Sequence, residues 1–62
     1  MSVVIIAAID REIHDMSAYI GKVGHAIRLD PTGPGASLAD PMVIVEVDGH
    51  VDAFWREELA SA

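Results

Sequence analysis

Three histidines and two groups of carboxylates are the residues of this chain that could do chemistry. His14, His25 and His50 lie on separate segments, and none has the paired spacing, such as His-x-x-x-His on a helix, that brings two imidazoles to one metal ion. We therefore predict no metal site. His50 is interpreted as a residue beside a turn that faces Glu46, and His25 as an alternating strand position that is partly buried.

The carboxylates form one group at Asp10, Glu12 and Asp15 and a second group at Glu57 and Glu58. Catalytic carboxylates need a cleft and unequal environments that separate their pKa values, and a chain of 62 residues has little room for a cleft. Both groups are interpreted as solvated faces. We predict no catalytic residue, no cofactor and no enzyme activity.

Length and composition restrict the architecture. At 62 residues the chain is a single domain, residues 1–62, of a size at which self-association or a partner often adds to the buried core, so a homodimer and a complex subunit are both open. The absence of cysteine excludes disulfides and fits a reducing compartment, and we predict a cytoplasmic location. The apolar run from Val3 to Ile9 is too short to span a bilayer and indicates a buried strand.

The chain carries ten acidic and four basic residues, a formal charge of -6. A negative surface disfavours docking on phosphate backbones and on anionic lipids, so we predict no direct binding to nucleic acid or to membrane. Two interpretations of the acidity stay open. It keeps a hydrophobic small domain in solution, or it forms an acidic surface that meets a basic partner.

The remaining pattern predicts a mainly β fold of about four to five antiparallel strands. From Lys22 to Leu29, two sets of residues alternate in the manner of a strand with one inward and one outward face. Gly24 within this run indicates a bend or a bulge. The stretch from Asp30 to Pro41 holds all three prolines, so we predict a surface loop there.

The segment from Met42 to Phe54 predicts a β-hairpin around an Asp-Gly turn signal. A two-residue loop at Asp48-Gly49 would place Asp52 opposite Val45 and put a charge on the apolar face. A three-residue loop over residues 47–49 keeps that face apolar, and we predict it on this ground. Its pairs are Glu46 with His50, Val45 with Val51, Ile44 with Asp52 and Val43 with Ala53. Trp55 then points to the apolar face, and Ile44 and Phe54 to the mainly polar one.

Residues 11–20 are open to two interpretations. Asp10 could cap a helix whose apolar residues recur near helical spacing, and Gly21 could end it. The alternative is an irregular loop whose apolar residues cover one end of a barrel. A further short helical turn is expected over residues 56–59, with Leu59 returning to the core.

Phe54 and Trp55 are adjacent, so in an extended strand one belongs to the core and the other to the surface. Because aromatic residues dominate interface energetics, the exposed one, together with Tyr19 and Ile44, is the predicted contact patch for a partner protein. The alternative, that all of them pack inside the domain, stays open. The acidic candidates for the same partner surface are Asp10, Glu12, Asp15, Glu57 and Glu58.

A resemblance to a known fold is carried by Tyr19-Ile20-Gly21-Lys22-Val23-Gly24-His25-Ala26-Ile27, a Pro/Gly loop, the strand from Met42 to Val47, and the closing Phe54-Trp55-Arg56-Glu57-Glu58-Leu59. This pattern resembles small SH3-like barrels, among them a photosystem I accessory protein, the ferredoxin-thioredoxin reductase variable chain and the barrel domain of the nitrile hydratase β subunit. The resemblance implies a small SH3-like barrel and a non-catalytic module that docks on larger proteins.

Two functions follow as hypotheses. The first is an acidic, non-enzymatic interaction domain that binds a larger protein with the help of its charge. In its sharper form it is an inhibitor of the anti-CRISPR or anti-restriction type, which mimics the charge of nucleic acid on a basic nucleic-acid-binding protein. The second hypothesis, implied by the barrel families, is a structural accessory subunit of a larger enzyme complex.

Overall fold

Five antiparallel strands in one sheet make up most of the described chain. The computed structural model describes residues 1–7 and 17–62. The strands are β1 Ser2–Ile5, β2 Val23–Asp30, β3 Met42–Val47, β4 His50–Phe54 and β5 Leu59–Ser61. They lie in the order β4-β3-β2-β1-β5, and every neighbouring pair is antiparallel. The prediction of a mainly β fold with four to five antiparallel strands is confirmed.

The sheet is open at both edges. Among the described strands, β4 pairs only with β3 and β5 pairs only with β1. The arrangement is compatible with a small barrel-like fold, but hydrogen bonding does not close the sheet into the barrel that the resemblance implies. The helical elements of the described residues are two 3₁₀ turns, Ser17–Tyr19 and Arg56–Glu58. None of the helices in this part of the chain is long and apolar enough to cross a membrane.

One face of the sheet forms the core. Side chains alternate between the two faces of a strand, so every second residue of β1 and of β3 points into the same cluster. The buried members of the cluster are Val3, Ile5, Val43, Val45, Val47 and Phe54. Leu59 packs against it directly after the second 3₁₀ turn, as predicted.

The predicted register of the β3–β4 hairpin is wrong. The strands join through a two-residue turn in which Asp48 has a φ of 52° and Gly49 a φ of 82°. Positive φ at both central positions gives a tight turn whose twist matches that of the strands, and Asp-Gly suits it. The observed pairs are Val43 with Phe54, Ile44 with Ala53, Val45 with Asp52, Glu46 with Val51 and Val47 with His50.

The Asp52 carboxylate, whose charge argued against this register, is stabilised by a hydrogen bond within the domain. Asp52 lies opposite Val45 and accepts a hydrogen bond from the Tyr19 hydroxyl at 2.6 Å. The faces of β4 are therefore exchanged relative to the prediction. Phe54 joins the core, whereas Val51 lies exposed on the other face.

β2 turns its smallest residues toward the core. Gly24 is buried, and a Cβ atom added to it would stand 2.5 Å from the Glu46 carbonyl oxygen of β3. Val23 and His25 lie exposed, so the predicted partial burial of His25 is wrong. The close approach of β2 to β3 at Gly24 explains this, because no larger side chain fits between the strands there.

The irregularity in β2 lies beyond Gly24. The register with β3 shifts between Ala26 and Arg28, which places a β-bulge at Ile27. An extra residue in one strand reverses the alternation of the residues that follow. Leu29 therefore pairs with Val43 and lies on the core side of the sheet, at the end where β2 extends beyond β1.

The first strand is shorter than predicted, and Ile6 is exposed beyond its end. Residues 8–16, and with them Asp10 and most of the predicted helix, lie outside the described residues. The described end of that segment is the 3₁₀ turn Ser17–Tyr19, followed by Gly21 with a φ of 91°. Residues 31–41 connect β2 to β3 without regular structure, which confirms the predicted loop.

Candidate functional site

Tyr19 is held by contacts inside the domain. Its ring packs edge-on against Phe54, with centroids 5.5 Å apart and an interplanar angle of 86°. Its hydroxyl donates to Asp52 Oδ2 at 2.6 Å, and this hydrogen bond to a carboxylate raises the pKa of Tyr19 above its usual value. Tyr19 is half-buried, so part of its ring still reaches the surface.

The other members of the predicted aromatic patch pack internally. Phe54 is 0% exposed within the core, and Ile44 and Trp55 are also buried. Phe54 and Trp55 are both buried because β4 ends at Phe54, so strand alternation no longer governs Trp55, which starts the second 3₁₀ turn. The alternative of internal packing thus describes these three residues, and they do not form an accessible contact patch in the domain.

The second acidic group does not present two carboxylates side by side. Glu58 is 3% exposed, and its Oε1 accepts a hydrogen bond from the Trp55 backbone N–H at 2.6 Å. The Glu58 N–H in turn donates to the Trp55 carbonyl oxygen at 2.9 Å. Glu58 therefore caps the turn that leads into β5, and Glu57 alone of the pair is exposed.

Most of the remaining predicted positions fall within residues 8–16. Asp10, Glu12, Asp15 and His14 lie outside the described residues. Within residues 1–7 and 17–62 there is no group of three or more histidine or carboxylate side chains that could hold a metal ion.

Two further carboxylates, the half-buried Asp30 and the exposed Asp48, have local partners. Asp30 Oδ1 accepts hydrogen bonds from the Thr32 hydroxyl at 2.6 Å and from the Thr32 N–H at 2.9 Å, and both lower the pKa of Asp30. Lys22 donates to Asp48 Oδ2 at 2.7 Å, and this hydrogen bond and the positive charge lower the pKa of Asp48. These contacts stabilise a loop and a hairpin turn, so part of the acidity serves local structure.

An apolar groove of about 490 Å³ lies between β2 and β5. The core residues Val3 and Val43 line it together with the half-buried Leu59. Met1 and Leu29 also line it, and their side chains are 82% and 62% exposed. Exposed apolar side chains therefore continue directly from the buried core on this side of the domain.

The groove exists because β2 extends beyond its pairing with β1. That pairing reaches Ser2 opposite His25, and the Ala26 N–H makes one further hydrogen bond to the Met1 carbonyl oxygen at 2.8 Å. From Arg28 to Asp30, β2 pairs with β3 alone among the described strands. The bulge turns Leu29 to the core side of the sheet, where it lines the groove.

Two basic side chains line the groove of an otherwise acidic molecule, and one of them, Arg28, is near enough to Asp30 to contribute to the lowered pKa of that carboxyl. Arg28 and Arg56 both line it, and no carboxylate side chain is found among its described lining residues. The third basic residue of the described chain, Lys22, is paired with Asp48 at the hairpin turn. The groove thus combines apolar side chains with two guanidinium groups, which bind carboxylates well.

Arg28, Arg56 and Leu29 were not among the residues predicted from the sequence to form a site. The signal that could have found the groove is the pair of small residues Gly24 and Ala26. A strand face made of small residues allows close packing and therefore tends to point inward, which leaves the larger residues of the strand for the surface.

No protein-family model, no curated protein and no solved structure matches this chain. The fold and the groove are therefore the observations from which its function is argued.

Proposed function

We propose that this chain is a non-enzymatic protein-interaction domain that serves as a structural accessory subunit of a larger protein. The observation that carries the proposal is the apolar groove between β2 and β5, where the exposed Met1 and Leu29 lie beside the core residues Val3 and Val43. A domain of 62 residues buries little apolar area by itself, so a partner that covers this groove adds to the stability of both molecules.

The strand order supports the same proposal by analogy. The order β4-β3-β2-β1-β5, with a 3₁₀ turn between β4 and β5, resembles small SH3-like barrels. The photosystem I accessory protein, the ferredoxin-thioredoxin reductase variable chain and the nitrile hydratase β-subunit barrel are modules of this kind that dock on larger proteins. The analogy concerns the fold, and a partner for this chain is not inferred from it.

A nucleic-acid mimic is the second candidate, and the formal charge of -6 favours it. Such an inhibitor would use exposed carboxylates, of which Glu57 is the described member of the predicted set. Its binding to a basic protein would depend on salt, because screening weakens interactions between exposed charges.

The experiment is purification of the tagged chain from its native host at low and at high salt, with an unrelated tagged acidic protein as the control. An accessory subunit retains one enzyme complex in constant ratio at both salt concentrations. A mimic retains a nucleic-acid-binding protein that is lost at high salt and is displaced by added DNA. If the chain retains no specific protein at either salt concentration, the proposal is wrong.

Two substitutions at exposed positions separate the candidates further. Leu29→Asp places a charge in the apolar groove, and we expect it to abolish retention of an enzyme complex. Glu57→Lys reverses a charge outside the groove lining. If the chain is a nucleic-acid mimic, we expect this substitution to weaken its binding to the basic partner, and Leu29→Asp to have little effect.

A further inference from the structure

We propose that the groove between β2 and β5 binds an extended segment of a partner protein, with apolar side chains at alternate positions and a carboxylate beside Arg28 and Arg56. This inference rests on the proposed function and names the chemistry of the partner.

Two strand edges border the groove. β5 pairs only with β1 among the described strands, and the end of β2 pairs only with β3. The stretch of β2 from Ile27 to Asp30 is about 13 Å long and carries backbone donors and acceptors that no described strand meets on the groove side. An extended peptide satisfies such an edge by adding a strand to the sheet.

The apolar lining indicates which side chains the occupant carries. Val3, Val43 and Leu59 lie on the core side of the sheet, and all three line the groove. In an added strand every second side chain points to the same face. An occupant with apolar residues at alternate positions would therefore extend the core of the domain, while its other residues would face solvent or the arginines.

The charge of the groove favours an acidic occupant. Arg28 and Arg56 line the groove, and its described lining contains no carboxylate. An occupant without acidic groups would partly desolvate both guanidinium groups and would offer them no carboxylate in addition to the Asp30 charge near Arg28, which costs free energy. A carboxylate between them gains charge-assisted hydrogen bonds, so the groove selects an acidic segment over a neutral or a basic one.

The same charge argues against a second copy of this chain as the occupant. In a symmetric dimer the same surface of each copy meets the other, so the described lining of one copy offers no carboxylate to the arginines of its partner. Like charges at an interface oppose association. A segment from a different protein, with its own carboxylate, meets no such repulsion.

The test begins with a displayed library of random octapeptides selected on the immobilised full chain. We expect the selected peptides to carry apolar residues at alternate positions with aspartate or glutamate between them. On binding a selected peptide, amide resonances of β2 after Ala26 and of β5 should shift. Absence of any selected peptide, selection of basic peptides, or shifts confined to other strands would contradict the inference.

Matched variants then locate the contacts. Arg28→Gln and Arg56→Gln each remove one charge at the groove, and Lys22→Gln removes one charge away from it. Leu29→Asp adds a charge inside the groove, and Val51→Asp adds one at a residue that is 58% exposed on the far face of β4. We expect each groove variant to weaken the selected peptide at least about tenfold and each control to change its affinity less than about twofold.

The peptide affinities of the groove variants and the controls test this inference separately from the proposed function. Equal affinities in the groove variants and the controls overturn the inference, even where the chain retains a partner from its host. A host partner retained equally by Leu29→Asp and by the unaltered chain also overturns it, and would show that the partner binds outside the groove. Sedimentation is the last check, since a dimer that Leu29→Asp dissociates would show that a second copy is the occupant. The folded state of each variant is verified by its amide spectrum.

Discussion

Gly24 is the residue at which the packing of β2 against β3 is most sensitive. A Cβ atom there would lie 2.5 Å from the Glu46 carbonyl oxygen and 2.8 Å from side-chain atoms of Val45 and Val47. Backbone on one side and buried side chains on the other leave the new atom no space. We expect Gly24→Ala to lower the free energy of unfolding by about 2 kcal/mol, measured by urea denaturation.

Gly33→Ala is the control for that substitution. Its Cβ would stand 3.2 Å from the Met42 sulfur, which belongs to a flexible side chain that can move away. We expect a change within about 0.5 kcal/mol. Equal losses in Gly24→Ala and Gly33→Ala would show that the close contact of β2 and β3 is not what demands glycine.

Tyr19 reports directly on its hydrogen bond to Asp52, because it is the sole tyrosine of the chain. The bond and the nearby negative charge raise the pKa of its phenol above the ordinary value. We expect the tyrosinate absorbance of the native protein to appear at higher pH than that of a free tyrosine. Asp52→Asn removes the charge and should move the midpoint down, whereas an unchanged midpoint would mean that the two side chains do not interact in solution.

At the scale of elements, the β3–β4 hairpin depends on a turn with two positive φ angles. Gly49 has a φ of 82°, a conformation in which a Cβ atom is strained. We expect Gly49→Ala to lower the free energy of unfolding by about 1 kcal/mol. Asp48→Asn keeps a residue that tolerates this geometry and should cost less when both substitutions are compared in Lys22→Met, where the ion pair with Asp48 is already absent. A larger loss in Asp48→Asn than in Gly49→Ala would contradict the two-residue turn.

The ion pair at the same turn predicts a dependence of stability on pH. Lys22 lowers the pKa of Asp48 in the folded state, so folding is favoured by the ionised carboxylate. This stability is present above about pH 4, near the pKa of an unfolded aspartate, and is lost as the pH falls through the lower, folded value. We expect the urea midpoint of the unaltered chain to fall more between pH 5 and about pH 2 than that of Lys22→Met.

Other carboxylates, including Asp30, titrate in both of these proteins, so the difference between the two curves isolates the Lys22–Asp48 pair. Parallel curves would indicate that the pair adds nothing in solution, as is common for exposed ion pairs.

At the scale of the whole molecule, the net charge opposes folding. A formal charge of -6 is confined to a domain with a radius of gyration of 10.5 Å, so the carboxylates repel one another. Raising the ionic strength from about 0.01 M to about 0.15 M shortens the screening length from about 30 Å to about 8 Å. We expect the thermal midpoint, followed by circular dichroism, to rise by a few degrees over this range.

The control for the salt effect is the same series near pH 4, where protonation reduces the negative charge. The rise in the midpoint should shrink there. A midpoint that falls with salt at neutral pH would mean that attractive pairs outweigh the repulsion among the carboxylates.

The groove and the acidity make different demands on a partner at this scale. The free energy gained by burying the apolar lining does not depend on charge screening, whereas salt screens the long-range attraction that the carboxylates exert on a basic partner. A partner that covers the groove, as we propose, is therefore expected to remain bound at high salt, with Arg28 and Arg56 selecting its acidic group. The two proposed functions differ in which of these surfaces provides the affinity.

Local patterns were sufficient to predict the mainly β fold, the loop over residues 31–41 and the short turn before Leu59. Each of these features depends on residues close together in the chain. Alternation of apolar and polar residues predicts the strands, the prolines predict the loop, and a few turn-forming residues predict the short turn. The Asp-Gly signal also located the hairpin turn. Its register could not be predicted, because the choice depended on Tyr19, which is 33 residues from Asp52 in the chain.

The amino-acid sequence alone thus indicated four of the five strands and where the chain must turn, since these preferences are local, but it did not indicate β5. The tertiary structure decided which face of β2 points inward, how far β2 extends beyond β1, and that Phe54, Trp55 and Glu58 are buried. These features arise from contacts between residues distant in the chain and from a bulge that reverses the alternation of β2. The candidate site belongs to this second group, because a groove is defined by the elements that surround it.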